Sequence, residues 1–310
     1  MKKSSDIFFS IRSVADYLKL RNQPLQHPLI GLVDFNKINE EQSYKTPSYT
    51  GLEFDCYAVF LKENINCKLK YGGGSYDFDS GTIVFIGPNQ KIGITKDSNF
   101  KPQGYALLFH PDLLKGSFLN LDIKHYPFFS YSVNEALHLS EKEHKLIVDI
   151  LKSFQKELNQ NTDNHSKSIL LSTLKLLLDH CSRFYERQFI TREHIHSSCL
   201  KKFKELLSAF YQSQNYEKKL PSVDYFAQSL HLSTNYFGDL IRKETGVSAQ
   251  EYIQKYMIYV AKHELEHSEL SIKELAYHLG FKYPQHFSRL FKKKTGLTPN
   301  QYKLELKKVV

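Results

Sequence analysis

The chain has 310 residues, 41% hydrophobic and 24% charged, which excludes intrinsic disorder and leaves room for two or three domains with cores of their own. No apolar run approaches membrane-spanning length, and the four cysteines, Cys56, Cys67, Cys181 and Cys199, form no Cys-x-x-Cys pair, which argues against a zinc ribbon or a dithiol redox motif. The net charge of +9 is unevenly spread: residues 201–310 hold 18 Lys and Arg against 11 Asp and Glu, whereas residues 1–200 hold 24 against 22, so the last third has the charge balance of a polyanion binder.

The chain opens on MKKSSDIFFSIRSVADYLKL. It starts basic, but its apolar stretch is only Ile7-Phe8-Phe9, soon broken by Arg12 and Asp16, so it does not read as a signal peptide. A cytoplasmic location is expected. Residues 27–110 alternate short apolar runs, such as Cys56–Leu61, Ile83–Ile86 and Tyr105–Phe109, with Gly, Pro, Asn and Asp. That is strand-and-turn patterning for a barrel or sandwich. Gly72-Gly73-Gly74 is followed by no Gly-Lys-Ser/Thr and does not read as a phosphate loop. From Ser140 the period becomes helical. Ser140 with Glu143 predicts a capping box, and Leu146, Ile147, Ile150, Leu151, Phe154 and Leu158 form a stripe. A second helix is predicted over 167–187.

The last hundred residues contain a duplication. Ser222, Ala227 and Leu230 match Ser271, Ala276 and Leu279 at an offset of 49, and Phe237, Leu240, Lys243, Thr245, Gly246 and Tyr252 match Phe287, Leu290, Lys293, Thr295, Gly296 and Tyr302 at an offset of 50. Each copy reads as helix–turn–helix, with a second helix ended by glycine. Ser271 with Glu274, Ser248 with Glu251 and Thr298 with Gln301 predict capping boxes. Two helices joined by a short turn are the unit that lays its second helix in a DNA major groove. A connecting helix is predicted over 249–267. At 1.5 Å per residue it spans ~25 Å, so two reading helices could address segments about one duplex turn (~34 Å) apart.

The segment HELEH, residues 263–267, spells the two-histidine zinc pattern of metalloproteases. Its helical context argues against that reading. His263 lies two residues from both Ala261 and Leu265, a rotation of about 200°, so it points away from the packed face, and only Glu269 offers itself nearby as a third ligand. A zinc hydrolase is retained as an alternative.

Gly280-Phe281 followed by HFSRLFKKKTGLTPNQY, residues 286–302, resembles the DNA-binding domain of the AraC/XylS family of bacterial transcription regulators, as does LSTNYFGDLIRKETG in the first copy. The resemblance covers about 105 residues from Lys201 to Leu306. More loosely, HPLIGLVDF and the strands that follow resemble the cupin-type sensor half of such proteins. The resemblance implies an α+β chain: a cupin-like effector-binding domain over 1–135, a helical dimerisation or linker region over 136–198, and an all-α tandem helix–turn–helix domain over 199–310. It implies Thr234, Asn235, Gly238, Asp239 and Arg242 in copy one, and Tyr283, Pro284, Gln285, Ser288, Arg289, Lys292 and Lys293 in copy two, as the DNA-contacting set. Gln and Arg suit adenine and guanine edges, while Gly238 has no side chain to offer and Asp239 is paired more readily with Arg242 than with a base. Lys294, Lys303, Lys307 and Lys308 would neutralise phosphate.

A small organic effector is expected at the barrel mouth, lined by Tyr57, Tyr71, Tyr76 and Phe78, with Phe60 and Phe109 as further candidates. In a chain that is 14% aromatic such residues are more often core. His27 and His110 are too few for a metal-binding cupin, so no metal or other cofactor is expected. The implied partners are double-stranded DNA, RNA polymerase, the effector and a second copy of the chain, with no membrane. A ligand-independent DNA-binding regulator is the other alternative.

Overall fold

The computed structural model describes residues 8–38, 51–63, 81–93, 102–191, 193–212 and 219–309, the side chains of 134, 193–197 and 307–309 aside. The chain divides into two compact units, Met1–Thr191 and Arg192–Val310. The helical stretch expected over 136–198 is thereby shared between them, with two helices in the first unit and the start of a third in the second.

In the first unit, β1 (Phe8–Ile11) leads into a short helix, α1 (Val14–Leu20), then β2 (Ile30–Asp34), β3 (Gly51–Phe54), β4 (Tyr57–Lys62), β5 (Thr82–Ile86), β6 (Gln90–Gly93) and β7 (Gly104–Phe109). A one-turn helix, α2 (Leu119–Asp122), and the two-residue strand β8 (Leu137–His138) follow. The described strands make two sheets rather than a closed barrel: β1-β3-β6 and β2-β7-β4-β5-β8. The apolar run at Phe8-Phe9 falls in β1, which pairs in parallel with β3.

Alternation along the five-stranded sheet divides its side chains between two covered faces. Ala58, Val84, Ile86, Ala106 and Leu108 join Ile11, Leu52 and Phe54 of the other sheet and Val14, Tyr17 and Leu18 of α1 in one core. The opposite face carries Tyr57, Phe85 and Phe109, which pack on an aromatic layer. Phe85 meets Phe128 at 4.2 Å and Tyr57 stacks on Phe109 at 4.9 Å between ring centroids. That double burial explains why β7 is buried along its whole length instead of alternating with polar residues.

Helices α3 (Glu141–Leu158) and α4 (Ser166–Thr191) complete the first unit. Ser140 and Glu143 form the expected capping box. Glu143 also receives both Nε and Nη2 of Arg187 from α4, at 3.1 and 2.7 Å, while Arg187 Nη2 donates to the His138 carbonyl at 2.7 Å. Gln188 accepts from His138 N–H and donates to the Ala136 carbonyl. These bonds lash the sheet-edge strand β8 to α4. Among the described residues no helix is long and apolar enough to cross a membrane.

The second unit is all-helical: α5 (Glu193–Gln212), α6 (Val223–Ser229), α7 (Thr234–Thr245), α8 (Ala249–His267), α9 (Ile272–His278), α10 (Pro284–Thr295) and α11 (Pro299–Val309). Phe203 of α5 is fully buried and meets Phe226 of α6 and Phe237 of α7 edge-on at 5.2 and 5.1 Å. The second head has an aromatic core of its own, Phe281 of the turn with Phe287 and Phe291 of α10, the last touching Tyr302 of α11 at 5.6 Å. Helix α8 packs against α5, α6, α7, α10 and α11.

Candidate nucleic-acid interface

Each helix–turn–helix is fixed by local chemistry at its corners. Ser222, Ser233, Ser248 and Ser271 cap α6, α7, α8 and α9, each side chain accepting a backbone N–H from the first turn. Ser271 and Glu274 form the reciprocal box, as do Thr298 and Gln301. The box expected at Ser248 is only half made: Ser248 accepts from Glu251 N–H, but the Glu251 carboxylate turns to Lys255 at 3.3 Å.

The two candidate reading helices end alike. Gly246 and Gly296 take the left-handed conformation, with φ of 73° and 85°. One residue earlier, Thr245 donates to the Ile241 carbonyl at 2.7 Å and accepts from Val247 N–H; Thr295 repeats this with Phe291 and Leu297. The turns between helices also correspond. Copy two places Gly280 at φ 92°, while copy one places His231 at φ 58°. A Cβ on Gly280 would meet the backbone of Lys219 and Leu220 at 3.0 Å, so this glycine is required by space as well as by φ.

This scaffold sorts the faces of α7 and α10. On α7, Tyr236, Phe237, Leu240 and Ile241 are buried; Thr234, Asn235 and Arg242 are exposed, and Gly238 and Asp239 half-exposed. A Cβ at Gly238 would have nothing within 4 Å, so the surface there is open to close approach. Thr234 donates to Asp224 of α6 at 2.7 Å, which anchors the head of the helix. On α10, Phe287 and Phe291 are buried, Pro284 and Ser288 half-exposed, and Tyr283, Gln285, Arg289, Lys292 and Lys293 exposed. Leu290 is half-buried. Arg289 has no ion-pair partner among the described residues, and Lys292, Lys293 and Lys294 crowd the last turn beside it. Lys303 reaches the Leu270 carbonyl at 3.4 Å, and the side chains of Lys307 and Lys308 lie outside the described set.

The histidines of HELEH lie on the exposed side of α8, with Ala261 and Leu265 buried on the other. Their rings stack on each other at 4.5 Å, and His267 Nδ1 is held 3.0 Å from the His263 carbonyl. Neither ring is set to share an ion with a third ligand, and among the described residues no group of three or more His, Cys, Asp or Glu is placed to hold a metal.

In the first unit, Tyr57 sits on the sheet face that meets the aromatic layer, between Phe109 and Phe129, and burial raises its hydroxyl pKa. Phe60 packs at the inter-sheet core. Tyr71, Tyr76 and Phe78 lie outside the described residues. Cys56 is buried and its thiol is pushed up to about 12 by that burial and by Asp55 and Asp16.

The arrangement defines a class: two helix–turn–helix heads on one polypeptide, each presenting an exposed polar helix face, joined by a shared helix. Residues 226–305 match the model of a helix-turn-helix domain family. The chain is 37% identical over 82 residues to "Uncharacterized HTH-type transcriptional regulator YtdP" of Bacillus subtilis, covering 26% of this chain and 11% of that protein. It is 34% identical over 76 residues to the HTH-type transcriptional activator RhaS of Escherichia coli, covering 24% and 27%. It is 32% identical over 82 residues to the activator RhaR of Salmonella arizonae, covering 26% and 29%. The chain thus spans between about a tenth and under a third of the length of these relatives. Among solved structures, the C-terminal domain of the response regulator yesN from Fusobacterium nucleatum aligns at 29% identity over 32% of this chain and 96% of that one, with a TM-score of 0.29. Residues 226–305 of the C-terminal unit are thus a helix–turn–helix domain.

Proposed function

We propose that the protein is a sequence-specific, double-stranded DNA-binding transcription regulator. In this reading α7 and α10 enter successive major-groove segments. The observation that carries it is the pair of equivalent helices whose apolar faces are buried and whose opposite faces stay exposed, with Gln285 and Arg289 of α10 free to reach base edges. Lys292, Lys293 and Lys294 neutralise phosphates and set affinity rather than sequence preference. Copy one contributes Thr234, Asn235, Asp239 and Arg242, and open Gly238 lets the backbone approach.

The relatives named as activators support a reading of transcription activation; contact with RNA polymerase, in the cytoplasm, is the further part of the same proposal. The first unit serves as a sensor for a small organic effector that shifts the DNA-binding unit between arrangements. It also serves as a dimerisation element. Ile169, Leu176 and Ile190 of α4 are 45%, 49% and 59% exposed and recur at multiples of seven residues, the spacing of a helix–helix seam. Sedimentation at micromolar concentration tests this part: a monomer removes it.

The main reading is tested by anisotropy titration of the full chain against a duplex selected from a random pool and against a scrambled duplex. The expected result is a salt-sensitive affinity that favours the selected sequence by at least ~10³-fold. Equal binding to both, or none to either, removes the reading.

A further inference from the structure

A groove of about 830 Å³ lies in the C-terminal unit between α5, α8 and α9. None of the candidate DNA-contacting residues lines it. Its volume suits a small molecule. Its chemistry is opposite to the rest of the unit. Residues 201–310 carry 18 Lys and Arg, yet none is among the described lining residues of the groove. Four of the 11 acidic side chains of residues 201–310, Glu264, Glu266, Glu269 and Glu274, fall within 11 consecutive residues, and Glu264 and Glu274 line the groove itself.

Aromatic rings make the walls. Tyr211, Tyr256 and Tyr259 follow one another with centroids 6.0 Å apart at each step. Tyr277 adds a fourth ring from α9, and Tyr259 and Tyr277 are 64% and 44% exposed. Two groups are left without the partners they need. The Tyr211 hydroxyl is buried with no hydrogen-bond partner, in a residue only 5% exposed, although a buried hydroxyl ordinarily has one. Glu264 is half-buried and makes no ion pair among the described residues. Ring faces are negative and attract cations, a half-buried carboxylate calls for a positive charge, and a phenol oxygen accepts an N–H.

We propose that this groove binds a small organic cation, a primary ammonium carried on an apolar body. The ammonium sits against Glu264 and the ring faces, donates to Tyr211 Oη, and its apolar body lies along Tyr256 and Tyr259. This is a site on the C-terminal unit itself, apart from the face that α7 and α10 present, and it stands or falls independently of DNA recognition.

Calorimetric titration of the full chain with 2-phenylethylammonium and with its neutral counterpart 2-phenylethanol tests it. The ammonium should saturate and bind about tenfold more tightly than the alcohol. Glu264→Gln should weaken the ammonium about fivefold while leaving the alcohol unchanged, whereas Tyr259→Ala, which removes a ring beneath the phenyl body that both compounds share, should weaken both, the ammonium by about fivefold or more. Tyr259 is mostly exposed, so its removal leaves the fold intact, with unchanged far-ultraviolet dichroism as the control. Equal affinity for the two compounds, variants that bind like the parent, no saturable binding of the ammonium, or saturation only by a lysine-rich peptide would each overturn the proposal.

Discussion

Replacing Arg289 by alanine separates base reading from simple charge attraction. The side chain is exposed on α10 and takes no ion-pair partner among the described residues, so its removal breaks no internal contact. Thermal stability should change by less than about 0.5 kcal/mol, as for surface positions generally. A bidentate contact to a guanine edge contributes about 1–3 kcal/mol of discrimination, which is roughly 5- to 150-fold in affinity for a selected duplex. The scrambled duplex should lose only the electrostatic share of one cation. Lys293→Ala is the matched control: one charge removed from the same helix end should weaken both duplexes alike and lower the salt slope by about 1. Anisotropy titrations of both variants on both duplexes, at several salt concentrations, read the difference directly. Equal losses for Arg289→Ala on the two duplexes would refute base contact and reduce Arg289 to a phosphate neighbour.

Phe237→Ala and Phe287→Ala each empty a fully buried site at the centre of one head and should cost about 3–5 kcal/mol by denaturant melting; a loss below ~1 kcal/mol in either would contradict the packing described. The two turns should answer oppositely to exchange of their left-handed residue. His231→Gly should stabilise by roughly 0.5–1 kcal/mol, strain relief outweighing the added chain entropy, whereas Gly280→Ala should destabilise by about 2 kcal/mol or more, because φ and the backbone of Lys219 and Leu220 both oppose it. Hydrogen bonds to Ser271 hold the Glu274 carboxyl below its ordinary pKa. A carboxyl lowered on folding stabilises fully above its unfolded value of about 4.3 and loses that contribution as pH falls through the lowered folded value. The parent should therefore lose more stability on acidification from about pH 5 than Glu274→Gln does, and parallel acid profiles would remove the linkage.

Much of the second unit was legible because its determinants are local. The duplicated Phe-x-x-Leu and Thr-Gly spacing, the serine caps and the two-residue offset of His263 from Ala261 and Leu265 each depend on neighbours within one or two turns. What escaped was α5. Its contribution to the first head is long-range, Phe203 inserting between Phe226 and Phe237, although Phe203, Leu207 and Tyr211 at successive steps of four were a readable stripe. The half-made box at Ser248 shows the limit of motif reading: Ser-x-x-Glu was present, but Lys255 one turn further on competed for the carboxylate.

The first unit was legible only as strands. Which strand pairs with which is decided by packing between distant segments. Nothing in Ile30–Asp34 announces a partner at Tyr105–Phe109, and the FFSI run betrays no parallel pairing with Gly51–Phe54. The placement of Tyr57 also needed the fold. Odd and even positions of β4 are nearly equally apolar, so the alternation that tells inside from outside is absent where a sheet is covered on both sides.

The two heads share α8, whose residues from Ala249 to Leu265 are built into the cores on either side of it. Neither head can then come apart while leaving the other whole. Amide exchange should protect both recognition helices to a similar depth, and an injury deep in one should be felt at the far end of the other. Evolution could copy the module, but having fused the copies through a common wall it gave up the freedom to let one fray alone.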